Sequence, residues 1–290
     1  MRVMDYASGS SGHGGAGERE APGRASSSEY KLPQITALFW VLKIAATTLG
    51  ETGGDMLSQT LHLGYVAASV VLFAIFLVAL LVQLRVRRFH PGLYWLVIAA
   101  TSTAGTTMAD LLTRGPGSGT DTAGGLGYAG GALVLIAGLA LVFAVWKATG
   151  LSYDVTRVTT FRGELLYWAA ILLSNTLGTT TGDYLADETG LGFWRAALVI
   201  ALVMAVILAA HYFTRISGVV LFWIAFILTR PLGATAGNYL SKPRSEGGLA
   251  LGTYAVSAVL AAVLIGGVVY SYVILRRAGQ PSVRDLVSAE

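Results

Sequence analysis

The strongest constraint on the fold is a pattern written four times in apolar surroundings. An aromatic residue precedes a Trp, a Gly follows ten residues after the Trp, a Thr stands two residues beyond the Gly, and an acid or its amide stands five beyond it. The copies are Phe39-Trp40, Gly50, Thr52, Asp55; Tyr94-Trp95, Gly105, Thr107, Asp110; Tyr167-Trp168, Gly178, Thr180, Asp183; and Phe222-Trp223, Gly233, Thr235, Asn238. Leu57, Leu112, Leu185 and Leu240 each follow two residues later. Gap-free agreement at five positions marks internal repeats. Asp55 to Asp110 and Asp183 to Asn238 are both 55 residues, while Asp55 to Asp183 and Asp110 to Asn238 are both 128, so the chain is a duplicated duplication.

What surrounds these motifs sets the class. Hydrophobic residues make up 54% of the chain, charged residues 12%, and mean hydropathy is +0.64, where a soluble domain carries about a quarter charged residues. Runs of about 20 mostly apolar residues, enough to cross a bilayer as a helix, occur near 35–57, 62–84, 92–113, 127–147, 164–186, 191–213, 217–240 and 249–275. The expectation is an all-α polytopic membrane protein. Its eight transmembrane helices form a domain over 31–277, with repeats at about 35–84, 92–147, 164–213 and 217–275. Residues 1–30 are rich in Ser, Gly and Ala and lack the apolar stretch of a secretory signal, which predicts a disordered cytoplasmic segment. A cytoplasmic tail is expected over 278–290.

Two spans per repeat make every repeat begin on the same side, so the four motif-bearing helices are expected to run parallel, unlike inverted repeats. Arg85, Arg87, Arg88, Lys147, Arg157, Arg162 and Arg215 fall on one side with both termini, and Arg114, Arg195, Lys242 and Arg244 on the other. The positive-inside tendency then places both termini in the cytoplasm. These loops account for the formal charge of +4 without nucleic acid as a partner, leaving the lipid bilayer. The absence of cysteine removes disulfides and thiolate metal sites.

The Trp, Gly, Thr and Asp positions resemble those of a family of bacterial integral membrane proteins built from four tandem repeats of a domain of unknown function, each with two transmembrane helices. The likeness covers about 31–277. It implies the architecture and supplies no substrate. The fourth copy departs from the pattern, with Asn238 for Asp and Ala234 where the first copy has Glu51.

Helical periodicity groups Thr48, Glu51, Thr52 and Asp55 on one face, as it does Thr103, Thr106, Thr107, Asp110, then Thr176, Thr179, Thr180, Asp183, and Pro231, Thr235, Asn238. The expected cation- or proton-binding set is Glu51, Asp55, Asp110, Asp183 and Asn238, completed by Thr52, Thr107, Thr180 and Thr235. Lys43 and Arg230 are expected as internal counter-ions, too few to balance the acids. Gly50, Gly105, Gly178 and Gly233 are expected to pack helices closely, and Trp40, Trp95, Trp168 and Trp223 to anchor the chain at the bilayer interface.

Charges inside a membrane normally face a bundle interior or an aqueous path. Oxygen ligands without thiolates suit hard cations, so Glu51, Asp55, Asp110 and Asp183 are candidate ligands for a metal passing through, with no resident cofactor expected. The leading expectation is a transporter, in one version an exporter, of a small cation, either a divalent metal or one exchanged with protons. The alternatives are an intramembrane enzyme with a carboxylate pair, whose Gly-x-Gly-Asp signature is missing here, and a membrane sensor or assembly protein.

Overall fold

The computed structural model describes residues 35–86, 89–116, 124–154, 158 and 160–278, and among them it is all-helical. The segment 1–30 and the tail beyond residue 278 lie outside the described residues. The helices are α1 (Ala37–Asp55), α2 (Gly64–Arg85), α3 (Pro91–Arg114), α4 (Gly127–Ala148), α5 (Phe161–Asp183), α6 (Gly192–Phe213), α7 (Gly218–Ser241) and α8 (Thr253–Ala278). Their starts carry recognisable signals. The Thr36 and Thr160 hydroxyls accept from the backbone N–H groups of Phe39 and Gly163 at 3.3 and 3.1 Å, and Pro91 opens α3.

Helices α1 and α5 each continue into one π-helical turn, Met56–Thr60 and Tyr184–Glu188. These turns stand 128 residues apart, so the longer of the two repeat periods survives in the backbone.

The helices form two rings. Helices α1, α3, α5 and α7 pack in that order, with α7 closing on α1. Outside them α2 covers α3, α4 covers α5, α6 covers α7, and α8 returns to α1. The second helix of each repeat therefore seals the first helix of the next, and the repeats interlock around the circle.

Five helices, α2, α4, α6, α7 and α8, are long and apolar enough to cross a membrane. The outer faces of α2, α4, α6 and α8 carry exposed side chains such as Val70, Val78, Leu133, Leu141, Leu202, Val206, Val259 and Ile265. In water this would be an aggregation surface; against lipid it is the expected one. Helices α1, α3 and α5 are too polar to meet the same measure of apolarity, because their polar residues point inward and the outer ring shields them.

Close packing of the inner ring rests on glycine. Gly50 lies against Ser102, Gly105 against Asn175, Gly178 against Arg230 and Gly233 against Thr47, the same contact four times around the ring. A Cβ on Gly105 would stand 3.1 Å from the Asn175 Cβ, and one on Gly233 2.5 Å from the Thr47 hydroxyl. Any side chain there would force neighbouring backbones apart.

The tryptophans are not interface anchors, which corrects the reading of Trp40, Trp95, Trp168 and Trp223. Trp95, Trp168 and Trp223 are buried and Trp40 is half-buried. The aromatic residue of each repeat packs on the Trp of the next, with ring centres 5.6 Å apart for Phe39–Trp95, 5.7 Å for Tyr94–Trp168 and 6.0 Å for Tyr167–Trp223, and the circle closes through Phe222–Trp40 at 5.8 Å. Each such contact contributes about 0.5–1.5 kcal/mol beyond its buried area. Inside this collar the Tyr94 and Tyr167 hydroxyls share a hydrogen bond of 2.8 Å. The outer helices cover what would otherwise be the lipid-facing side of these rings.

Candidate functional site

From the collar to the opposite end, the interior is built in layers four residues apart. Beyond Phe39, Tyr94, Tyr167 and Phe222 come Lys43, Ile98, Ile171 and Phe226, then Thr47, Ser102, Asn175 and Arg230, then Glu51, Thr106, Thr179 and Ala234, then Asp55, Asp110, Asp183 and Asn238. All twenty residues are buried. Gln59, Arg114, Asp187 and Lys242 form the last layer, at the mouth. Each step advances about 6 Å along a helix.

The layers end in a cavity of about 240 Å³ lined by Glu51, Asp55, Gln59, Asp110, Arg114, Asp183, Asp187, Phe193, Asn238, Lys242 and Glu246. The four inner helices thus bring Asp55, Asp110, Asp183 and Asn238 to one place. Six lining carboxylates face two lining cations.

Those two cations clamp the mouth in matching ways. Arg114 of α3 places Nε 3.1 Å from Asp110 Oδ1 and reaches α5, with Nη2 3.7 Å from Asp183 Oδ2 and 3.9 Å from Asp187 Oδ2. Lys242, next after α7, reaches α1, with Nζ 3.0 Å from Asp55 Oδ2 and donating to Gln59 Oε1 at 2.8 Å. Shifting the first clamp by 128 residues gives the second: Arg114 becomes Lys242, Asp183 becomes Asp55, Asp187 becomes Gln59. Gln59 also donates to Asp55 Oδ1 at 2.7 Å, and the Tyr128 hydroxyl donates to Asp187 Oδ2 at 2.9 Å.

The floor breaks this symmetry. Arg230 enters from α7, places Nη2 3.1 Å from Glu51 Oε2, and donates to the carbonyls of Thr47 and Ser102 at 3.2 and 3.3 Å and to the Thr106 hydroxyl. Asn238 donates to Glu51 Oε1 at 2.9 Å and to Asp183 Oδ1 at 3.4 Å. With carboxylates on both sides its amide nitrogen must face them, which fixes the orientation. The counter-ion role expected of Arg230 thus has a partner, Glu51. Lys43 has none: its Nζ lies two layers further in, 3.9 Å from the centre of the Phe226 ring and without a hydrogen-bond partner.

The threonines expected as ligands lie elsewhere. Thr52, Thr107, Thr180 and Thr235 are buried, are not among the lining residues, and donate to carbonyls of their own helices, Leu49, Ala104, Thr176 and Pro231, at 3.4, 3.3, 3.1 and 2.8 Å. Thr52 also accepts from Ser257 of α8 at 2.7 Å. The inward stripe runs strictly every fourth residue, so these positions, one past each layer, point toward a neighbouring helix. Nor do Glu51, Asp55, Asp110 and Asp183 form a ready metal site: among the described residues no three His, Cys, Asp or Glu side chains come together in a group that could hold a metal ion. Each acid is engaged by a cation or amide instead, with Arg114 shared by Asp110 and Asp183 and Asn238 by Glu51 and Asp183.

Sequence reasoning counted Arg114 and Lys242 among the loop charges and did not single out Gln59, Asp187 or Glu246 for the site. The signal was present for four of them, since each stands four residues after Asp55, Asp110, Asp183 or Asn238. The model of a Repeat of Unknown Function (DUF347) matches residues 38–89, 93–152, 166–217 and 221–277. The chain belongs to the DUF347 family. Its four matches coincide with the four inner-outer helix pairs, so in this member each DUF347 repeat contributes one wall and one cover to the site. No curated protein and no solved structure matches the chain.

Proposed function

We propose that this DUF347 protein is a membrane transporter of a small, singly charged cation, which it first receives in the carboxylate cavity. The observation that carries this reading is the excess of acid in one shared cavity that is closed on the other side: six carboxylates, Glu51 at the floor among them, against Arg114, Lys242 and the floor's Arg230, with apolar and aromatic layers beyond. A pocket of one sign in a low-dielectric wall concentrates ions of the other sign. An ion site open at one end and sealed at the other is one half of an alternating-access cycle. Among the described residues no three acid ligands come together, and a singly charged ion fits such a cavity better than a divalent metal.

Arg85, Lys147, Arg162 and Arg215 stand at the collar end. By the positive-inside tendency the cavity then faces outward from a bacterial inner membrane, with the termini in the cytoplasm. A carboxylate-pair hydrolase is less well supported, since it needs two acids facing each other and each of the four here is engaged by a cation or amide.

The test is flux of K⁺, Na⁺ and guanidinium into liposomes carrying the purified chain, with the double variant Asp110→Asn and Asp183→Asn. Transport by the wild type and its loss in the folded double variant are expected. A folded double variant moving the same ion at the full rate would exclude the site.

A further inference from the structure

Lys43 is a buried charge that the cavity does not use. Its side chain is fully buried and its Nζ has no hydrogen-bond partner. The other three repeats place Ile98, Ile171 and Phe226 at the same depth, so an apolar residue is sufficient for packing there. The face of Phe226, 3.9 Å away, returns only part of what an ammonium group loses on leaving water.

The charges around it are few. Helix α7 supplies Arg230 one layer outward, and α1 itself supplies Glu51 two layers outward. Helix α3 has its charges at Asp110 and Arg114, in the cavity, and α5 at Asp183, also in the cavity, and at Arg162 and Glu164, at the collar end. Helix α8, which covers α1 with Gly267 against Leu42, has no charged residue from Thr253 to Ile274. Glu164 is buried as well, below the collar; between the collar and the cavity floor, Lys43 and Arg230 face one carboxylate among the described residues, Glu51. Arginine keeps its proton in proteins, whereas a lysine ammonium is able to exchange one.

We infer that Lys43 is a proton-binding residue that exchanges its proton for the entering cation, an inference that rests on the transport reading above. A cation arriving beside Glu51 lies two layers, about 12 Å, from the Lys43 level. At an effective dielectric of about 20, two unit charges at that separation weaken each other's binding about tenfold. Cation entry thus loosens the proton on the Lys43 nitrogen, which keeps the electron pair as the proton leaves to solvent. When the cation leaves, the nitrogen takes a proton back. One charge replaces another, and no redox partner is involved.

The experiment uses the purified full-length chain in detergent with a pH dye in weak buffer, titrated with K⁺, Na⁺ or guanidinium as chloride salts, and compares wild type, Lys43→Met and Lys43→Arg. The wild type is expected to bind one of these ions and release protons as it does so. Lys43→Met, whose side chain matches its apolar layer, should bind that ion without proton release. Lys43→Arg keeps the charge, and should bind about tenfold more weakly, again without release; it serves if the Met variant does not fold. Undiminished proton release in either variant overturns the role of Lys43, as does wild-type binding without release, and both outcomes leave the transport reading standing. Failure of the wild type to bind any of the three ions defeats the transport reading and this inference with it.

Discussion

Asn238 of α7 donates an amide hydrogen to Glu51 of α1 at 2.9 Å, in the one repeat where the acid of the motif has become its amide. The same nitrogen reaches Asp183 of α5 at 3.4 Å, so a single side chain ties three inner helices together at the cavity floor. An aspartate there could not donate and would add a third carboxylate beside two others.

Asn238→Asp is therefore expected to lower stability by about 1–3 kcal/mol through loss of donors to charged acceptors. Thermal unfolding in detergent measures this. A variant as stable as the wild type would show that the amide does not hold the floor together.

Glu51 and Arg230 are a buried ion pair, and removing one partner strands the other. Glu51→Gln or Arg230→Met alone is expected to cost about 3–5 kcal/mol. The double variant should cost clearly less than the two single losses combined, because neither charge is then left unpaired. Strict additivity in a double-mutant cycle would refute a direct coupling.

Gly178 faces Arg230 so closely that a Cβ would stand 2.5 Å from the arginine Cβ and Cγ. Gly178→Ala should destabilise by about 1–3 kcal/mol by overpacking. Gly266 of α8 has open space where its Cβ would be, and Gly266→Ala should be neutral or slightly stabilising, since alanine is the better helix former. Equal unfolding temperatures for the two variants would contradict the glycine register of the inner ring.

Trp168 and Trp194 separate a buried role from an exposed one. Trp168 is 0% exposed and Trp194 56%. Trp168→Ala is expected to cost about 3–5 kcal/mol, as for a large aromatic removed from a core, and Trp194→Ala to change stability by about 0.5 kcal/mol or less. Detergent-solubilised unfolding curves decide between these roles and the interface-anchor reading, under which neither loss would be large.

Much of the site was legible before any coordinates. Four acids or amides at equivalent depths, with Glu51 one turn before the first, pointed to a shared polar centre, because burying so many carboxylates apart from one another is too costly in a membrane. The threonines were misassigned for a geometric reason. Periodicity of 3.6 residues places both the third and the fourth residue near a given face, and the choice of the fourth follows from how each helix lies against its neighbours. Arg114 and Lys242 were misassigned because a long cationic side chain at a helix end can extend outward to water or fold back, and the decision rests with the acids on the adjacent helix, Asp183 for one and Asp55 for the other.

The chain alone determined what repeats: four units nested two by two, an apolar envelope, and polar residues recurring at fixed depth, since all of these are properties of spacing and composition. Which helix touches which is a different kind of fact. That α2 covers α3 and α8 returns to α1, that the tryptophans turn inward to form a collar, and that Arg230 pairs with Glu51 while Lys43 is left above an aromatic ring all depend on residues far apart in the chain, 225 positions for Leu42 and Gly267, meeting in space. Local periodicity says which side chains share a face; only packing of one face on another selects their partners.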